Sequence, residues 1–134
     1  MDIVFLDANV LFSAAYRRES GLKKLWALDD AALITSRYAL EEARRNLEEP
    51  ARQRLERLAS RVEIVAEAPD RPLPAGIELP EKDHPILQAA IAAAATHLLT
   101  GDVTHFGRYF GHTVAGLLIL TPGDYPRQRG LHRP

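Results

Sequence analysis

Ile3-Val4-Phe5-Leu6-Asp7-Ala8-Asn9 sets four consecutive apolar residues against a polar stop. A strand with one solvated face alternates apolar and polar side chains. A short unbroken apolar run instead suits a strand covered on both faces, as in a parallel sheet. The run ends at Asp7-Ala8-Asn9, which reads as a turn. Working outward, a helical stretch spans Gly21 to Leu28, with Leu22, Leu25, Trp26 and Leu28 apolar. Ala32 to Ile34 is a second strand, closed by Thr35-Ser36. Ser36 suits the N-cap of a helix from Arg37 to Leu47, whose face carries Leu40, Ala43 and Leu47.

Pro50 breaks that pattern, and Ala51 to Ser60 reads as another helix with Leu55, Leu58 and Ala59 inward. Val62, Ile64 and Val65 form a third strand. Glu67 to Lys82 is loop, rich in proline, and a loop of that length often borders a functional site. Pro85 to Ala95 is an alanine-rich helix. Leu98-Leu99-Thr100 and Leu117 to Leu120 complete the strands. Residues 1–124 read as one domain, and 125–134 as a polar, basic tail that frays. Strands alternating with helices imply a parallel, doubly wound α/β sheet with helices on both faces.

Composition bounds the function without naming it. The chain has 134 residues, a hydrophobic fraction of 46% and a charged fraction of 26%, ordinary for a globular domain. It has no cysteine, which excludes disulfides and cysteine-based zinc sites. The amino-terminal run lacks a basic lead and a long apolar core, and nothing approaches the roughly 18 apolar residues of a membrane helix. A cytoplasmic location without membrane contact is the expectation. The net charge of −1 gives no global signature of nucleic-acid binding.

The acids fall in a pattern. Doubly wound sheets bind ligands beyond the carboxyl ends of their strands. Asp7 follows the first strand and Asp102 follows Leu98-Leu99-Thr100-Gly101. Asp83 lies one turn before Ile86 and Leu87, on the core-facing side of its helix. Glu41 and Glu42 lie early in the helix after the second strand. Each has a structural alternative when taken singly: a turn residue at Asp7 or Asp102, an N-cap at Asp83, a solvated helix position at Glu41 or Glu42. Together they converge on one rim. Crowded carboxylates raise one another's pKa, and a divalent cation such as Mg²⁺ or Mn²⁺ relieves the crowding.

These same segments resemble the motifs of the PIN-domain family over nearly the whole chain. FLDANVLFSA is similar to the first motif and TSRYALEEARRNL to the second. KDHPILQAAIAAAATHLLTGDVTHF resembles the third and fourth, and LLILTP has a counterpart. The resemblance implies a three-layer α/β/α sandwich around a parallel, roughly five-stranded sheet. It implies Mg²⁺- or Mn²⁺-dependent phosphodiester hydrolysis, commonly of single-stranded RNA. Asp7, Glu42, Asp83 and Asp102 match the catalytic, metal-binding acids, with Glu41 an open alternative to Glu42. Asn9 and Thr100 match supporting positions. The toxin branch, VapC-type ribonucleases, would bring an antitoxin protein and a homodimer.

One departure stands out. Many members of the family it resembles carry a further acid where this chain has Thr104, followed by His105-Phe106, while other branches do carry His-Phe there. His84, His105 and His112 could be ligands, but histidine is the less usual partner for Mg²⁺, and His105 reads as a structural or outer residue. Arg44, Arg45, Arg52, Arg54 and Arg57, and Tyr16-Arg17-Arg18, are either solvated surface or a phosphate track. The competing function is a PIN-like module that binds RNA or protein without catalysis. Aspartyl phosphoryl transfer fits poorly, since Asp7-Ala8-Asn9 is not Asp-x-Asp and no lysine falls on a late strand. Gly-rich nucleotide loops are absent.

Overall fold

The computed structural model describes residues 1–131. The apolar run becomes β1 (Asp2–Leu6), whose last three residues are buried. β1 lies inside a six-stranded sheet of order β3-β2-β1-β4-β6-β5. The strands are β2 (Ala31–Ser36), β3 (Glu63–Val65), β4 (His97–Leu99), β5 (Thr113–Val114) and β6 (Leu117–Leu120). All pairs are parallel except β5 against β6. The chain steps from β1 outward to β3, then returns to lay β4 on the other side of β1. Strand order therefore reverses between β1 and β4, which is where open α/β sheets form their ligand crevice.

Helices cover the sheet: α1 (Ala8–Tyr16), α2 (Arg37–Arg45), α3 (Ala51–Ala59), α4 (His84–Ala92), the single turn α5 (Val103–Phe106) and α6 (Asp124–Leu131). α1 packs on α2 and α3, and α4 packs against β2 and β4. Phe5, Leu6, Leu98, Leu99 and Leu117 are fully buried at the centre. Each such side chain contributes roughly 1.5–3 kcal/mol through its burial. Among the described residues no helix is long and apolar enough to cross a membrane.

The mixed, mainly parallel α/β/α architecture matches the sequence expectation, and four local features depart from it. Asp7-Ala8-Asn9 is not a turn: α1 starts at Ala8, and Asp7 caps it. Gly21–Ala27 is a 3-10 helix rather than an α-helix. It buries Leu25 and Trp26, and the indole donates to the Leu58 carbonyl at 3.0 Å. The sixth strand, β5, pairs back on β6 through Ala115 and Gly116, both at positive φ (51° and 82°), the signature of a two-residue hairpin. Two residues are too few to show a period.

The fourth difference is the tail. Where the sequence suggested fraying from residue 125, α6 forms and buries Tyr125 completely. The Tyr125 hydroxyl donates to Asp2 Oδ2 at 2.6 Å, and Arg129 donates to that hydroxyl at 2.8 Å. Arg129 also pairs with Asp30. The Tyr125 ring meets His97 edge-on, with centroids 4.9 Å apart. Asp2, Asp30 and His97 stand where β1, β2 and β4 begin, so α6 straps the amino ends of the central strands. Residues 132–134, the rest of that expected tail, lie outside the described residues. Tyr125→Ala should lower the unfolding free energy by about 3 kcal/mol. Denaturant titration of the two proteins checks this, and equal midpoints would mean that α6 does not close the core.

Candidate metal centre

The site begins with backbone register. Leu6 pairs with Leu99, and the Asp7 amide donates to the Leu99 carbonyl at 3.1 Å. Asp7 and Thr100 therefore emerge side by side at adjacent strand ends. The Thr100 hydroxyl donates to Asp7 Oδ2 at 2.8 Å. It also accepts from the Asn9 side-chain amide at 3.2 Å and from the Asp102 amide at 3.1 Å. Asn9 donates to Asp7 Oδ2 at 3.3 Å as well, while its own carbonyl accepts from the Gly101 amide at 2.7 Å. Asp7 Oδ1 accepts from the Ala8 amide at 2.7 Å as the cap of α1. Asn9 and Thr100 thus tie the ends of β1 and β4 together and fix the Asp7 carboxylate.

Asp83 and Asp102 arrive from the other side. Asp102 caps α5: its Oδ1 accepts from the His105 amide at 3.0 Å. Asp83 closes a 3-10 turn (Glu81–Asp83) and stands at the N-cap of α4, yet its side chain makes no capping bond. Its carboxylate faces the site instead, although the residue is only 8% exposed. The Tyr38 hydroxyl donates to the Lys82 carbonyl at 2.7 Å and so pins the turn that presents Asp83. His105 Nδ1 lies 2.9 Å from Asp83 Oδ2 and 2.7 Å from Asp102 Oδ2.

A cleft of about 480 Å³ joins these groups, lined among others by Asp7, Asn9, Glu42, Lys82, Asp83 and Asp102. The two glutamates differ in place. Glu42 is half-buried and faces this cleft, whereas Glu41 is exposed and pairs with Arg44 at 3.4 Å. Two of the arginines serve the fold. Arg44 pairs with Glu56 at 2.7 Å. Arg54 donates to the carbonyls of Ala15 and Tyr16, both at 2.9 Å, and so finishes α1. Arg52 donates to the Arg44 carbonyl at 3.2 Å.

His105 is the residue that sequence reading left outside the centre. A signal for it existed. Asp102 is an N-cap and His105 is the third helical residue after it, the spacing at which a side chain reaches back to its cap. Thr104, the position that holds an acid in many relatives, is exposed.

The donor set suits a divalent cation. Asp83 Oδ2 is buried and has no hydrogen-bond partner among the described residues. A buried carboxylate oxygen without a partner is costly unless a proton or cation meets it. The residues that carry this geometry fall in one recognisable segment, because the PIN domain pattern matches residues 3–104. The chain belongs to the PIN-domain family. Its fold is similar to that of a chain in VapBC2 from Rickettsia felis, a structure bound to a DNA fragment from their promoter. The TM-score is 0.60 at 19% identity, over 89% of this chain and 98% of that one. A search of curated proteins gave no significant match.

In this PIN domain the acids are held against their preference. Burial raises the pKa of Asp7 from 3.8 to about 6; Asp83 and Glu42 add to the rise, and the bonds from Thr100 and Ala8 oppose it. Asp83 is also raised, first by burial and then by Asp102, against the pull of His105 and Lys82. An acid with a raised folded pKa keeps a proton that the unfolded chain has released. Stability therefore falls as pH climbs from 3.8 to about 6 and stays lower above. For Asp7 the rise corresponds to roughly 3 kcal/mol. Asp7→Asn should thus stabilise the metal-free protein at pH 7.5 by up to that amount, with the gain shrinking toward pH 4. Urea unfolding in a chelator at both pH values checks it. A gain that does not change with pH would mean that Asp7 is not strained by its charge.

Proposed function

We propose that this PIN domain is a divalent-metal-dependent ribonuclease that hydrolyses phosphodiester bonds in single-stranded RNA. The observation that carries the reading is the convergence of Asp7, Glu42, Asp83 and Asp102 on one cleft at the reversal point of the sheet, where a buried Asp83 oxygen makes no aligned hydrogen bond. Those four acids would hold Mg²⁺ or Mn²⁺. When bound, the ion supplies charge neutralisation at the phosphate and lowers the pKa of a water.

The chain's own residues have separate tasks. Thr100 and Asn9 keep the Asp7 carboxylate in one orientation, so that little is reorganised as charge develops. Tyr38 holds the turn that carries Asp83. Lys82 is a cation on the wall of the cleft, suited to a phosphate oxygen beside the acids. Arg45 and Arg57 are exposed basic side chains left for more distant phosphates.

The proposal extends to the toxin of a toxin–antitoxin pair, of VapC type, acting as a homodimer with an antitoxin protein as its partner. The likeness in fold to VapBC2 supports it. Asp7→Asn should reduce metal-dependent cleavage of a single-stranded RNA oligonucleotide at least about a hundredfold, more than the loss of an outer partner costs, while the circular dichroism spectrum stays unchanged. Chelation should abolish cleavage by the parent. Parent and variant cutting at equal rates would remove Asp7 from the chemistry. A parent that neither cuts RNA nor binds Mn²⁺ would instead be a non-catalytic binding module.

A further inference from the structure

We propose that His105 is itself a metal ligand through Nδ1, which tunes this site to first-row transition ions such as Mn²⁺ or Co²⁺ rather than Mg²⁺. The proposal rests on the metal-dependent reading above and sharpens it. His105 lies just beyond the segment matched to the family. The cap of α5 sets it: the His105 amide bonds Asp102 Oδ1, and the ring folds back toward Asp102 Oδ2.

Two orphaned atoms face each other there. His105 Nδ1 and Asp83 Oδ2 are both buried and both without a hydrogen bond, although they are 2.9 Å apart. The approach is close, at ion-pair distance to both carboxylates, but poorly aligned for a hydrogen bond. Two carboxylate oxygens thus crowd one imidazole nitrogen, the donor set that a metal ion would take in place of the ring's proton. One ligand atom from each of Asp83, Asp102 and His105 lies within 4.8 Å of the others. Octahedral bonds of about 2.1 Å separate neighbouring ligand atoms by about 3.0 Å. The two His105 contacts, 2.9 and 2.7 Å, are within a few tenths of an ångström of that spacing.

The chemistry follows from the donor set. Mg²⁺ holds to oxygen ligands and water, whereas imidazole nitrogen favours first-row transition ions, with affinity rising from Mn²⁺ toward Co²⁺ and beyond. Substituting one nitrogen for an oxygen therefore lowers affinity for Mg²⁺ relative to the others. The exposed Thr104 does not restore the oxygen.

Pulsed electron paramagnetic resonance of the full chain loaded with Mn²⁺ tests this without any turnover. The expected spectrum shows nitrogen coupling that persists in His84→Ala and disappears in His105→Ala. Calorimetry should show Mn²⁺ affinity falling at least about tenfold in His105→Ala, with a smaller change for Mg²⁺. Bound Mn²⁺ with oxygen ligands alone would overturn the role of His105 and leave the nuclease reading standing. No Mn²⁺ binding at millimolar concentration would overturn both. If His105→Ala fails to fold, the spectra of the parent and of His84→Ala still decide the matter.

Discussion

The pairing of β1 with β4 at Leu6 and Leu99 is the constraint on which the site depends. Parallel neighbours lie about 4.8 Å apart, so the residues that follow them must be neighbours too. Asp7 and Thr100 are those residues, and their hydrogen bond continues the ladder in side chains. A slip of one residue would turn every side chain of β1 to the other face. Phe5 and Leu6 are fully buried and forbid that slip. The apolar core thereby sets the position of a carboxylate that it does not itself favour.

Holding that carboxylate has a local cost. Asp7 is buried among apolar neighbours and near two other acids, and its raised pKa measures the strain. Thr100 and Asn9 offset part of it by donating to Oδ2. The remainder must come from elsewhere in the fold, and α6 is one place to look. Its Tyr125 and Arg129 satisfy Asp2 and Asp30 at the opposite edge of the same strands. One end of β1 is thus tied down while the other is strained. Active sites of this kind commonly trade stability for preorganisation.

Most of the fold was legible because its signals were long-range in pattern and local in cause. The run Ile3–Leu6 announced a strand covered on both faces, and Ser36 announced the start of α2, which it does cap. What escaped lacked a period or a contrast. α1 is apolar on its inward side and begins on the residue after an acid that also suits a turn. α6 looks polar because, among its residues of described burial, only Tyr125 is buried deeply, and its partners Asp2, Asp30 and His97 are distant in sequence. At the site, one cleft holds all four acids: Asp7, Asp83 and Asp102 stand where helices begin, and Glu42 reaches it from the middle of α2. Helix angles alone did not separate Glu41 from Glu42, because both flank the buried stripe. The difference lies in what stands opposite: the cleft for Glu42, Arg44 for Glu41.

Electrostatics gives the last step. A chain of net charge −1 that gathers four carboxylates repels a polyanion at short range. Its arginines offset this only in part, since Arg44 and Arg54 are committed to Glu56 and to the end of α1. In the proposed nuclease, attraction would therefore be concentrated at the cleft, where a divalent ion would offset part of the acids' charge and Lys82 stands beside them. Few phosphates can then be neutralised by side chains, and a small number of neutralised phosphates means a shallow dependence of affinity on salt. Recognition and chemistry would share one charge centre in that proposed arrangement. In the proposed nuclease, the carboxylates that alone would repel RNA are the same groups that would hold the ion that attracts it.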